Sequence, residues 1–386
     1  MQYRPFGKLG FDVSILGFGA MRMPTRPDGA LDEQAAIALI RQAISGGVNY
    51  IDTAHPYHGG LSEPTVGKAL ANGYREKVKV ATKSPIWSVN GPDDFDRILD
   101  QQLERLQAGP IDFYLMHGIG SWAWDRIKKF GLLERAEKAR AAGKIRHIGF
   151  SFHDNLATFK KIIDAYDDWA MCQIQYNYMN DDYQAGREGL LYAHAHHIPV
   201  VVMEPVLGGR IAAPPPKIRE VFDAYPVKRS PAEWALRWVW NQPEVTTVLS
   251  GMSDRTQLEQ NLALADQAGV HELAPADFNL LSEVRKRFEE RILIPCTHCD
   301  YCMPCEFGVN IPWAFELYNN GKIYDDIEGA RFGYLKQMPA DARGDNCTEC
   351  GSCLEKCPQK IRIPDRLKDV HRTLAEGAPY GAKEAT

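Results

Sequence analysis

Eight short apolar runs recur through the first 250 residues, and each is followed by a stretch of helical periodicity. The runs lie at 13–19, 48–52, 78–83, 111–117, 145–151, 171–177, 199–204 and 245–250. The helical stretches fall near 32–45, 63–71, 93–107, 124–142, 154–166, 187–197, 230–240 and 254–267. Continuous apolar runs mark strands buried on both faces, as in parallel sheets. Local punctuation agrees with this reading. Ser230-Pro231-Ala232-Glu233 joins an N-cap, a first-turn proline and a capping-box glutamate, while Gly143 stops the pattern before it. Eight strand–helix units over ~250 residues predict a closed (β/α)8 TIM barrel in an α/β chain. The rival is an open doubly wound sheet. Gly17-Phe18-Gly19-Ala20 lacks the third spaced glycine that such a sheet uses for a dinucleotide, so the barrel is the stronger expectation.

The cysteines divide the chain again. Of nine, eight lie between Cys296 and Cys357, and Cys172 alone stands outside, mid-strand, as a small buried hydrophobe. A secreted disulfide scaffold would staple loops throughout, so a thiolate-bound metal in a reducing compartment fits better. The first run is Cys296-x2-Cys299-x2-Cys302-x2-Cys305, and the second is Cys347-x2-Cys350-x2-Cys353-x3-Cys357-Pro358. The second run is similar in full to the bacterial ferredoxin pattern, whose fourth cysteine ligates the other cluster. That implies two [4Fe–4S] clusters, one on Cys296, Cys299, Cys302 and Cys357, the other on Cys347, Cys350, Cys353 and Cys305. The first run departs from the pattern in its last spacing and in Glu306 standing for proline. Structural zinc is the alternative, but two paired loops would leave the third cysteine of each run unexplained. Gly308-Val309-Asn310-Ile311-Pro312 and Lys360-Ile361-Arg362-Ile363-Pro364 form a weak repeat after the two runs. Between them 313–320 reads as a helix closed by Gly321, and the chain after His371 is expected to fray. The expected domains are a barrel over 1–275 and a ferredoxin-like iron–sulfur domain over 276–386.

Functional side chains of such barrels collect at the C-terminal ends of the strands. There the sequence places Asp52 and Tyr57 after strand two, Lys83 after strand three and His117 after strand four. Singly, three have a plain reading: Asp52 a helix cap, Lys83 a solvated strand end, His117 a core histidine. Together they suit carbonyl reduction. The oxygen that accepts charge needs a proton, and a free tyrosine, with pKa about 10, is a poor acid at neutral pH. An ammonium beside it lowers that pKa. Lys83 would do so for Tyr57, Asp52 would hold Lys83, and His117 would orient the carbonyl.

With Asn49-Tyr50-Ile51-Asp52-Thr53-Ala54, Val80-Ala81-Thr82-Lys83 and Asp112-Phe113-Tyr114-Leu115-Met116-His117, the chain resembles the aldo-keto reductase family over roughly residues 1–270. The resemblance implies a barrel that transfers hydride from NADPH or NADH to an aldehyde or ketone, with Asp52, Tyr57, Lys83 and His117 catalytic. It implies nicotinamide contacts at Ser151 and Gln175, with Phe152 where asparagine is common and Met203-Glu204-Pro205 where a stacking aromatic is common. Gly208 and Gly209 would admit a pyrophosphate. Gly251 replaces a frequent lysine, and Arg255, Gln260 and Asn261 would face the adenosine, Arg255 meeting a 2′-phosphate or simply starting a helix. Trp87, Trp122 and Trp124 would line a substrate pocket or pack ordinarily.

Across 386 residues the net charge is −5, with 45% hydrophobic and 25% charged residues, which gives no footprint for nucleic acid. No apolar run nears the ~18 residues of a membrane span, and the first residues lack signal-peptide shape, so the cytoplasm is expected. The expected partners are a small-molecule carbonyl substrate and an electron-transfer protein. A second reading is an electron-transfer protein whose barrel is a docking module, and a third is clusters that are purely structural.

Overall fold

In the computed structural model, which describes residues 1–296 and 301–381, every apolar run contributes to one sheet. Two short strands come first: β1 (Tyr3–Pro5) and β2 (Asp12–Ser14) pair antiparallel as a hairpin. The barrel strands follow as β3 (Leu16–Gly19), β4 (Tyr50–Asp52), β5 (Lys79–Ser84) and β6 (Ile111–Ile119). The circle is completed by β7 (Ile145–Phe152), β8 (Met171–Gln175), β9 (Val200–Met203) and β10 (Val245–Ser250). Neighbours run parallel, and β10 closes on β3. The run at 13–19 is therefore two strands, with Ile15 between them. The hairpin delivers Phe6, fully buried against Tyr50, Phe113 and Met171, to the N-terminal end of the barrel. That end is packed with aromatic side chains, which leaves the opposite rim for chemistry.

The helices follow the expected stripes. In Pro92–Leu106 the buried residues Phe95, Ile98, Leu99, Gln102 and Leu106 form one face. The stretch expected as one helix over 124–142 is two, Ser121–Phe130 and Leu132–Ala141, because Gly131 between them adopts φ 61 and ends the first. After Pro214 and Pro215, Pro216 opens the helix Pro216–Ala224.

The chain divides into two compact units, Met1–Gly209 with Ala232–Pro275, and Arg210–Pro231 with the chain from Ala276 onward. Residues 210–231 thus group with the second unit, unlike the expected division at 275. Among the described residues the second unit holds helices and no strand. Its two repeated motifs each lead into a helix with proline in the first turn, Ile311–Ile323 and Ile363–Leu374. Val309, Ile311, Phe315, Ile361, Ile363 and Leu367 share one core. The helix expected to close at Gly321 runs on to Ile323. Gly321 is there for closeness, because a methyl group on it would fall 2.2 Å from the Tyr380 hydroxyl oxygen. Residues 372–381 pack rather than fray: Leu374 is buried, and the Tyr380 ring meets Tyr318 at 4.8 Å. No helix among the described residues is long and apolar enough to cross a membrane.

Candidate functional site

Asp52 ends β4, Lys83 sits one residue from the end of β5, His117 lies in β6, and Tyr57 opens the tight turn Tyr57–Gly60. Parallel pairing sets their heights, with Asp52 opposite Ala81 and Lys83 opposite Leu115. The Lys83 ammonium donates to Asp52 Oδ1 at 2.6 Å and to the Thr53 carbonyl at 2.9 Å, and it lies 3.5 Å from the Tyr57 hydroxyl. The His117 ring meets Tyr57 edge-on at 6.1 Å, and Trp87 flanks it at 4.9 Å. All four residues read from the sequence therefore converge. Trp124, by contrast, is buried against Trp169 and Trp122 is exposed.

Asp52 is 2% exposed and Lys83 1%, so their charges sit where water cannot screen them. Burial pushes the Asp52 carboxyl up, while Lys83, and Gln173 from β8, favour its charged form. For Lys83, burial alone acts downward, but Asp52 and Tyr57 more than offset it and leave the ammonium raised. The net effect on Tyr57 differs from the expected lowering. Burial raises the phenol above its ordinary value, and Lys83 opposes without cancelling it. Burial, then the charge of Lys83, holds His117 well below the usual histidine range, so its imidazole is neutral.

A polar layer behind β5 escaped the sequence reading. Glu63, fully buried, accepts from Thr82 at 2.7 Å and Gln102 at 2.6 Å, and pairs with Arg105 at 3.3 Å. Gln102 also donates to the Lys83 carbonyl, while Arg105 donates to His55 Nδ1 at 2.6 Å. The available signal was a glutamine inside the apolar stripe of Pro92–Leu106.

The residues suggested for nucleotide contact divide. Ser151 Oγ accepts from the Gly118 amide at 2.8 Å, and Gln175 ends β8. Gly208 (φ 63) and Gly209 (φ 98) turn the chain after β9, and Asn261 donates to Ser250 Oγ at 3.1 Å where β10 ends. Arg255 and Gln260 lie on the exposed face of the helix Arg255–Gln267, and Arg255 is bonded to Glu259 at 2.6 Å.

In the second unit, Cys302, Cys305, Cys347, Cys350 and Cys353 line a cavity of about 260 Å3, far above the ~10–15 Å3 that admits one water. Burial raises the Cys353 thiol, and the nearby Cys347, Cys350 and Cys305 raise it further. Among the described residues no three ligating side chains are drawn in as tightly as a lone ion requires. Five soft thiols around a larger hollow suit an iron–sulfur cluster, which takes four. Cys357 is a buried member of the unit's core, and Cys296, Cys302, Cys305, Cys347 and Cys353 are all packed against that core. Cys299 lies outside the described residues.

The Aldo/keto reductase family model matches residues 15–285, and that of a 4Fe-4S dicluster domain matches residues 295–361. A probable aldo-keto reductase of Glycine max is 34% identical over 153 residues, 38% of this chain and 43% of that protein. An L-galactose dehydrogenase of Arabidopsis thaliana is 28% identical over 75% of this chain and 95% of its own. The crystal structure of an aldo-keto reductase from Klebsiella pneumoniae in complex with NADPH aligns with TM-score 0.59 and 25% identity, over 74% of this chain and 96% of that one.

Proposed function

The chain belongs to the aldo/keto reductase family, and on that premise we propose that it is a cytoplasmic enzyme reducing a small aldehyde or ketone with NADPH or NADH, its cysteine-rich unit carrying two [4Fe–4S] clusters. The observation that carries the proposal is the buried ammonium of Lys83 between Asp52 and the Tyr57 hydroxyl, beside a neutral imidazole. A bound reduced nicotinamide supplies the hydride. The residues of the chain do the rest. Tyr57, raised by burial, keeps its proton at neutral pH and so stands in the acid form. As the proton leaves for the carbonyl oxygen, the Lys83 charge at 3.5 Å stabilises the phenolate. Asp52 keeps Lys83 charged and aimed. Neutral His117 donates a hydrogen bond to the same oxygen and orients the carbonyl. Ser151, Gln175, Gly208, Gly209 and Asn261 are assigned to the nucleotide.

A bound iron–sulfur cluster supplies one-electron transfer. Cys305, Cys347, Cys350 and Cys353 would hold one, in the cavity that they share with Cys302. Cys296, Cys299, Cys302 and Cys357 would hold the other. The test of the enzymatic reading is oxidation of NADPH and NADH by anaerobically purified protein against a panel of aldehydes and ketones. Carbonyl-dependent oxidation that Lys83→Met abolishes is expected. No carbonyl-dependent oxidation by the unaltered protein overturns the reading.

A further inference from the structure

The loop between Cys347 and Cys353 folds around one of its own sulfurs. Glu349 (φ 57) and Gly351 (φ 79) both take the left-handed conformation, and Lys368 ties the loop down by pairing with Glu349 at 2.8 Å. The turn at Gly351 brings Ser352 back to Cys350, so that its Oγ lies 3.5 Å from the Cys350 sulfur, within reach of so large an acceptor. The Ser352 amide and the Thr348 hydroxyl also donate to that sulfur. A free thiol can hand its own proton to Ser352. A thiolate bound to iron has none, so in the loaded protein the serine hydroxyl must be the donor.

The two sets of cysteines also differ in exposure. Cys350 is exposed, whereas Cys357 is 7% exposed and belongs to the apolar core with Phe315 and Leu367. Reduction adds one negative charge to an already anionic cluster. Donors at the sulfurs and contact with water stabilise that charge, while an apolar surround penalises it. Glu306 and Lys356, which line the hollow beside Cys350, carry opposite charges and offset each other. Exposure and hydrogen bonding are left to decide, and both raise the potential of the cluster on Cys347, Cys350 and Cys353 above that of its neighbour.

We propose that Ser352, by donating to the Cys350 sulfur, raises the reduction potential of this solvent-facing cluster and makes it the first to accept an electron from an outside one-electron donor. The inference rests on the two-cluster reading above. A redox titration of the anaerobically purified, cluster-loaded protein tests it, with dithionite as reductant, electron paramagnetic resonance as readout and iron counted in every sample. Two one-electron steps are expected. Ser352→Ala should lower the upper step alone, by roughly tenfold in the equilibrium with the donor, about 59 mV for one electron, with no loss of iron. Ser352→Thr, which keeps the hydroxyl, should stay near the unaltered protein. An upper step that Ser352→Ala leaves unmoved overturns the inference alone. A shift confined to the lower step also overturns it, because the surface cluster would then be the harder to reduce. Loss of iron in Ser352→Ala overturns it too, since the serine would then hold the cluster rather than tune it. If the unaltered protein carries fewer than two clusters, the two-cluster reading falls and the inference with it.

Discussion

Gln102 donates its side-chain amide to the main-chain carbonyl of Lys83 at 3.0 Å, from a helix outside the barrel wall. The lysine is thus gripped twice, by its head inside the barrel and by its backbone from outside. The same amide reaches Glu63, and the Gln102 carbonyl accepts from the Tyr114 hydroxyl at 2.7 Å. Each of these groups is buried and would lose one hydrogen bond in Gln102→Leu, with Glu63 keeping Thr82 and Arg105. At ~0.5–1.5 kcal/mol for each hydrogen bond lost, the unfolding midpoint should fall by several degrees, since one kcal/mol moves it ~2–4 °C in a domain of this size. Thermal denaturation followed by circular dichroism reads this directly, and an unchanged midpoint would contradict it.

Tyr57→Phe removes one oxygen and leaves the Lys83–Asp52 pair in place. Carbonyl reduction should fall by ~10²-fold or more, the scale of general acid catalysis, while nucleotide affinity holds. Turnover within a few-fold of the parent would remove Tyr57 from the role of acid.

His117, His147 and His153 are all held below the ordinary histidine value, each chiefly by burial. Below a pH of about 6.5 the unfolded chain takes up protons there that the folded chain refuses. Stability should therefore decline as pH falls through that value, and melting curves between pH 8 and 5 will show the slope. His117→Gln should flatten it. For the same reason the acid side of kcat/KM should carry no His117 step near pH 6.5, because the imidazole is already neutral.

What could be read from the sequence, and what could not, follows from where the information sits. The barrel was legible because eight doubly buried strands must be continuous apolar runs. The tetrad was legible because parallel strands put residues such as Asp52 and Lys83 at matching heights. The break at Gly131 was not, since a glycine between two helical stretches of one period looks like a tolerated interior residue until its φ is known. Glu63 depends on Thr82, Gln102 and Arg105 from two other elements, a meeting that no local spacing announces. The lowering of Tyr57 by Lys83 was visible in the sequence, whereas the depth of burial that outweighs it was not.

The crossed ligation makes a separable prediction. Cys305→Ala should remove the cluster shared with Cys347, Cys350 and Cys353, and Cys357→Ala the other. Each variant should retain about four of about eight irons per chain. Iron analysis with electron paramagnetic resonance of the reduced protein distinguishes the two. If Cys305→Ala damages only the cluster of Cys296, Cys299 and Cys302, the first run closes on itself and the crossing is wrong.

Hydride reduction moves two electrons together, whereas each cluster passes one. A nicotinamide does not readily part with single electrons, so passing charge from it to the cysteine-rich unit would call for a cofactor that splits the pair, such as a flavin. In protein free of flavin the clusters should therefore lie off the hydride path. They would then brace the unit, sense redox conditions or serve a protein partner. NADPH alone should reduce neither cluster, and dithionite should reduce them where their potentials allow. Anaerobic electron paramagnetic resonance after each addition makes the comparison. Rapid appearance of a reduced-cluster signal with NADPH in flavin-free protein would put the cysteine-rich unit into the catalytic cycle.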